Sequence, residues 1–187
     1  MKGSSLMGSH RTGKTTLAKD YADNHGLEFI PMSVSPAYQV CGISMGHVDF
    51  TDRMLIQDTA LDMYVAKLEA NDKPFITDRC FLDLLAYTII DYPQNPSEPE
   101  AAWFLSYSYK CTALTAMYFD RVILMRPGIP LEACTTSWAA DSGVVSQVDA
   151  GMLWAADQLD MVQYMPKTCI DHKDRMRHLE VFINAKL

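Results

Sequence analysis

Basic residues are scarce in this chain and, over one long stretch, missing. Lys and Arg number 16 against 23 Asp and Glu, for a net charge of −7 and a pI near 5.1. From Pro127 to Pro166 there is neither Lys nor Arg. This argues against a broad nucleic-acid-binding face, because affinity for phosphate backbones rests on cationic side chains that release counterions; a local basic pocket is still allowed. Long apolar runs are absent as well. Nothing approaches the roughly 20 residues that cross a bilayer, and the N-terminus lacks the charged, then apolar, then small-residue layout of a signal peptide. The chain is therefore expected to be soluble and cytoplasmic, with no membrane partner. The five cysteines, Cys41, Cys80, Cys111, Cys134 and Cys169, are odd in number and form no C-x-x-C pair or His-rich ligand spacing, so reduced thiols are expected rather than disulfides or a metal centre. Internal repeats and low-complexity tracts are also absent.

What is present is concentrated near the N-terminus. Residues Gly8 to Thr15 read Gly-Ser-His-Arg-Thr-Gly-Lys-Thr, the G-x-x-x-x-G-K-[ST] phosphate-binding loop between a short strand and a helix-compatible run. Gly8 and Gly13 allow the tight turn that aims successive N–H groups at phosphates, and the helix that follows adds its positive end. The loop residues Ser9, His10, Arg11 and Thr12 are expected to surround ATP, with Thr16 just beyond. Lys14, expected to face solvent, supplies a mobile charge for the β- and γ-phosphates. Thr15 is placed to ligate Mg²⁺ through its hydroxyl, since that hard cation takes oxygen ligands shared with the nucleotide.

The full sequence of 187 residues has the length of one compact domain, with a central sheet covered on both sides. Strands are expected at about residues 3–7, 27–32, 74–77, 121–125 and 179–183. Helices are expected at about 14–24, 51–69, 81–90, 98–118, 149–163 and 172–178. The intervening segment 33–48 reads as a loop. The segment Tyr92 to Pro99, with three prolines, reads as a surface loop. Alternating strands and helices call for a parallel sheet with right-handed crossovers. Ligands then sit at the carboxyl ends of the strands, where both the phosphate loop and Asp78-Arg79 fall.

Asp78-Arg79, six further residues and Ala86-Tyr87 resemble the D-R-x(6)-A-Y motif of the thymidylate-kinase-like P-loop kinases. Upstream, Phe50-x-x-Arg53 is similar to the F-x-x-x-R segment with which that family stacks and hydrogen-bonds its pyrimidine, one residue shorter here. The resemblance implies an α/β, three-layer P-loop NTPase fold, with a five-stranded parallel sheet and helices on both faces, and makes residues 1–187 a single kinase domain. It implies that Asp78 helps Thr15 organise Mg²⁺ while Arg79 holds the acceptor in line with the γ-phosphate. Phosphoryl transfer depends on such cations and on geometry more than on covalent chemistry. Lys14, Arg11, Asp78 and Arg79 are thus the expected catalytic set. Phe50, Arg53, Gln57, Arg79 and Tyr87 are the expected substrate contacts, and Arg126 joins the ATP site.

Departures from the family pattern are equally informative. Members with a basic lid cover the transferring phosphate with lid arginines, which the segment after Pro127 lacks. In one branch an arginine at the fourth loop position does this work, and Arg11 occupies that position. The family's base-reading glutamine after Ala-Tyr is Thr88, and its loop aspartate is His10. Gln57, one turn beyond Arg53, is a candidate base reader in place of the missing glutamine. Related nucleoside kinases carry a carboxylate at the end of the second strand, but here that strand runs into Met32-Ser33-Val34-Ser35. An acceptor that is already an ionised phosphate needs no such base, so a deoxynucleoside monophosphate is favoured as the small-molecule partner. The alternatives are a kinase acting on the hydroxymethyl group of a modified pyrimidine in DNA, a nucleoside kinase with Asp49, Asp52 or Asp78 as base, and a non-catalytic nucleotide switch. A homodimer is left open.

Overall fold

The structure is a computed structural model that describes residues 2–46, 48–129 and 142–184. Five strands, β1 (Gly3–Met7), β2 (Glu28–Ile30), β3 (Phe75–Thr77), β4 (Phe119–Met125) and β5 (Val162–Met165), form one sheet in the order β2-β3-β1-β4-β5. Every pairing is parallel, with Ser5 beside Thr77 and Val122, and Met7 beside Leu124. Successive side chains point to opposite faces, so each inner strand feeds two cores. Met7, Phe75, Val122 and Leu124 meet one face, covered by α2 (Ser35–Cys41), α3 (Phe50–Glu69), α4 (Phe81–Ile90), α5 (Glu98–Tyr118) and α6 (Ser142–Ala156). Leu6, Ile76, Ile123 and Met125 meet the other, covered by α1 (Lys14–His25) and α7 (His172–Asn184) through Leu17, Tyr21 and Leu179. The three-layer α/β arrangement expected from the sequence is the one observed.

The central strand is the one with the poorest intrinsic propensity. Gly3-Ser4-Ser5 has little to recommend it as a strand, yet all five residues of β1 are buried. Small residues suit this position. A Cβ on Gly3 would stand 2.4 Å from the Phe75 ring, and the Thr77 hydroxyl donates to Ser5 Oγ at 2.8 Å, so the one buried hydroxyl satisfies the other.

Three expectations are corrected. The fifth strand is Val162–Met165, not residues 179–183, which lie inside α7. In α7, Arg175 and Leu179 are one helical turn apart and both are buried, a spacing that wins over the strand preference of Val181-Phe182-Ile183. The helix expected at 149–163 runs instead from Ser142 to Ala156. The segment 33–48, read as a loop, contains α2, whose Pro36 lies in the first turn, where its missing N–H costs nothing.

Helices α4 and α6 approach closely at Gly151, where an added Cβ would lie 2.9 Å from the Ala86 carbonyl oxygen. Gly151→Val is therefore expected to destabilise the protein by about 1–3 kcal/mol through overpacking, measured by urea unfolding. Unchanged stability would mean that the two helices are not packed as closely as described.

Candidate active site

The phosphate loop leaves β1 at Gly8, whose φ is +143°, and a Cβ there would meet the Met125 carbonyl oxygen at 2.3 Å. Only glycine combines that dihedral with that approach. Gly13, at φ +79°, starts α1. Arg11, at φ +58°, is the only non-glycine residue with positive φ among the described residues, a conformation that costs of order 1 kcal/mol and that clusters at functional sites. It is exposed on the crest of the loop.

Lys14 does not face solvent as the sequence suggested. It is 6% exposed, and its ammonium donates to Gly8 O at 2.8 Å, Ser9 O at 2.6 Å and Thr12 Oγ1 at 3.3 Å. Burial lowers its pKa to about 8, against the opposing pull of Asp83. Its three donors are thus held by the loop's own oxygens, and anionic phosphate oxygens are the stronger acceptors for which they can be exchanged. The buried Ser9 hydroxyl has no partner among the described residues. Thr15 and Thr16 are exposed at the start of α1.

A hydrogen bond joins the start of α1 to the end of β3. Thr15 Oγ1 donates to Asp78 Oδ2 at 2.6 Å, and Asp78 Oδ1 accepts from the Met32 N–H at 2.9 Å. Two hard oxygen donors side by side at a helix N-terminus fit Mg²⁺, which keeps few protein ligands and takes the rest from phosphates and water. Arg79 follows, its Nη1 donating to Met32 O at 2.9 Å.

Beside this mouth lies a cavity of about 670 Å³, a volume in the range of small-molecule sites. Its wall carries His10, Arg53, Gln57, Arg79 and Tyr87 among others, so five of the residues singled out in the sequence converge there. The Tyr87 hydroxyl lies 3.0 Å from His10 Nδ1. Burial, with Arg79 and Lys14 nearby, lowers the His10 pKa to about 4, so the ring is neutral at pH 7. Arg53 is committed to Asp91 at 2.7 Å and to the Tyr38 hydroxyl at 2.8 Å. Gln57 is buried, and its Oε1 accepts from the Tyr107 hydroxyl at 3.2 Å.

Other expected residues lie elsewhere. Phe50 does not line the cavity; its ring packs edge-on to Tyr92 and Trp103 at centroid distances of 5.5 and 5.7 Å, because the three apolar surfaces bury one another more completely than any could alone. Thr88 turns back to the Leu84 carbonyl. Arg126, at the end of β4, is ion-paired with Asp149 of α6. The part of the lid segment at residues 130–141 lies outside the described residues.

No family model and no curated relative matches the chain. Solved structures do. A NadR protein in complex with NAD and AMP-PNP superposes with a TM-score of 0.69 at 14% identity, over 100% of this chain and 50% of that one. Deoxyadenosine kinase from M. mycoides with bound dCTP gives 0.65 at 14% identity, over 97% of this chain and 98% of the other. Thymidylate kinase from Candida albicans gives 0.68 at 11% identity, over 97% and 90%. The chain has the fold of the P-loop nucleotide kinases. It spans half the length of the NadR chain and nearly all of the M. mycoides kinase.

Within this P-loop kinase fold the structure adds residues that the sequence did not single out. Asp83, a lone charge in the apolar run Phe81-Leu-Asp-Leu-Leu, is fully buried and accepts from Gly8 N–H at 3.2 Å. Arg175 of α7, 3% exposed, donates to Thr12 O at 2.6 Å and Cys169 O at 2.6 Å, bracing the loop from behind. The Tyr64 hydroxyl, on a residue that lines the cavity, is buried without a partner among the described residues.

Since the unfolded chain protonates His10 near pH 6.5 and the folded site resists protonation down to about pH 4, this group removes stability as pH falls through that window. The stability of wild type minus that of His10→Gln is therefore expected to decline from pH 6.5 to 4, measured by thermal unfolding. Parallel curves would contradict the buried, neutral ring.

Proposed function

We propose that this chain is an ATP- and Mg²⁺-dependent kinase that moves the γ-phosphoryl group to a deoxynucleoside monophosphate. The observation that carries the reading is the Thr15–Asp78 contact, which joins the phosphate loop to the mouth of a nucleotide-sized cavity with Arg79 on its wall. The loop N–H groups and Lys14 would hold the donor phosphates, and the bound metal would neutralise charge on the β- and γ-oxygens. Arg79 would orient the acceptor. Arg11, on the loop crest, would follow the charge that spreads over the transferring group.

The acceptor preference rests on where the carboxylates are. Asp49 caps α3 by accepting from the Asp52 N–H, Asp91 holds Arg53, Asp78 holds Thr15 and Met32, and Asp83, on the cavity wall, accepts from Gly8 and Cys80. Each has a prior commitment, which suits an acceptor already ionised and in need of no base. The test is incubation with labelled ATP and Mg²⁺ against nucleosides, nucleoside monophosphates and hydroxymethyl-pyrimidine DNA. Label on a monophosphate, with shallow salt dependence, supports the reading. Label in DNA, with a log–log salt slope of roughly −0.7 to −0.9 per contacted phosphate, overturns the acceptor, and no transfer to any of them overturns the activity.

Two substitutions separate the roles. Lys14→Ala should lower kcat on the order of 10²-fold or more. It should also cost about 1–3 kcal/mol of stability, because the Gly8 and Ser9 carbonyls lose their donor. Near-normal turnover would contradict the loop assignment. Asp78→Asn should raise the Mg²⁺ concentration for half-activity on the order of tenfold, and an unchanged metal requirement would reassign Asp78 to a structural contact.

A further inference from the structure

The carboxylate of Asp83 is used by none of the steps above, and its position is hard to explain as a helix cap alone. It does serve as a cap: Oδ2 accepts from the Cys80 N–H at 2.9 Å in the first turn of α4. Such caps work at the surface, however, and Asp83 is 0% exposed. Its other oxygen reaches across the fold to the N–H of Gly8 at 3.2 Å. An ionised carboxylate is costly to bury unless paired and hydrogen-bonded, and here both oxygens are bonded and two cations lie close, Lys14 and Arg79.

We infer that Asp83 is a positioning residue that ties the donor loop to the acceptor helix by fixing the peptide at Gly8 and, through it, the ammonium of Lys14. The inference deepens the kinase reading and rests on it only for the consequence in nucleotide binding. Gly8 is held on two sides, by the Met125 carbonyl, which leaves no room for a Cβ, and by the Asp83 carboxylate. The carbonyl of the same residue, one peptide unit on, accepts from Lys14 Nζ at 2.8 Å, so both polar groups of Gly8 are held. The same carboxylate is the largest electrostatic influence that opposes loss of the proton from buried Lys14. Asp83 and Tyr87 share α4 and both line the acceptor cavity, so one side chain links the geometry of the two substrates. The groups that face it are Lys14 of α1, Arg79 and Cys80 of the β3–α4 connection, Tyr64 of α3 and Tyr87 of its own helix.

Asp83→Asn is the decisive change, because it replaces one of the two accepting oxygens, which serve Gly8 and Cys80 separately, with an NH2 that can only donate. Cys80→Ala is the comparison that removes the capping thiol and keeps both carboxylate contacts. Binding of methylanthraniloyl-ATP is measured from pH 5 to 8, and exchange of the Gly8 amide is followed by NMR in wild type. Burial raises the Asp83 pKa to about 6, so wild-type affinity should fall below that pH as the carboxylate is neutralised. The Gly8 amide should be protected at pH 7.5 and lose protection over the same range. Asp83→Asn should bind about tenfold more weakly at pH 7.5 and lack that step, whereas Cys80→Ala should keep it. Equal affinity and pH dependence in wild type and Asp83→Asn overturn the inference, as does rapid exchange of the Gly8 amide, which remains decisive if Asp83→Asn fails to fold. Failure of wild type to bind the analogue while Gly8 stays protected sinks the kinase reading and leaves the tether standing.

Discussion

The close approach of Gly8 to the Met125 carbonyl, with no room for a Cβ between them, is the constraint on which the rest of the site depends. It lets β1 end against β4 and turn at once into the loop. The chain can then wrap back over its own carbonyls and start α1 at Gly13. Because β1 is the middle strand, the loop emerges between the ends of β3 and β4, and whatever those strands carry is delivered to it. Asp78 arrives from one side, and the Met125 carbonyl closes on Gly8 from the other. Bracing comes from both faces of the sheet: Asp83 on α4 holds the first residue of the loop, and Arg175 on α7 holds Thr12.

The electrostatics of this junction are nearly balanced before any nucleotide arrives. Lys14 and Arg79 are set against Asp78 and Asp83 in a partly dehydrated space, and each of the four is hydrogen-bonded to backbone. A preorganised arrangement of this kind does not have to reorient when charge develops in the transferring group, which is the main source of catalytic stabilisation in such sites. The ammonium of Lys14 is the exception. Its present acceptors are neutral carbonyls and a hydroxyl, and on the proposed reading exchanging them for phosphate oxygens would turn a self-contained loop into a gripping one.

Much of this was legible in the sequence, for reasons that can be named. The phosphate loop is a local motif whose glycines answer to dihedral and contact constraints within a few residues, and β4 declares itself by an unbroken apolar run. Asp78-Arg79 could be placed because strand ends are where α/β folds put their ligands. What stayed hidden depended on partners far along the chain. Asp83 looks like an ordinary first-turn acid until Gly8, 75 residues away, is brought against it. Phe50 looks like a stacking platform until Tyr92 and Trp103 cover it. Arg53 reads as a free cation for an acceptor until Asp91, after the end of α4, neutralises it. The four residues of β5 form too short a run to stand out against the helical pattern before them.

The central claim is that the loop and the cavity are the donor and acceptor halves of one site, facing each other across Thr15 and Asp78. The most direct measurement is the affinity of dinucleoside pentaphosphates, in which adenosine and each deoxynucleoside in turn are joined by five phosphates, compared by calorimetry with ATP alone. One of them should bind at least about 100-fold more tightly than ATP, because the second half then binds at high effective concentration, and Lys14→Ala should remove the gain. Affinities no better than that of ATP for every member of the series would contradict the account.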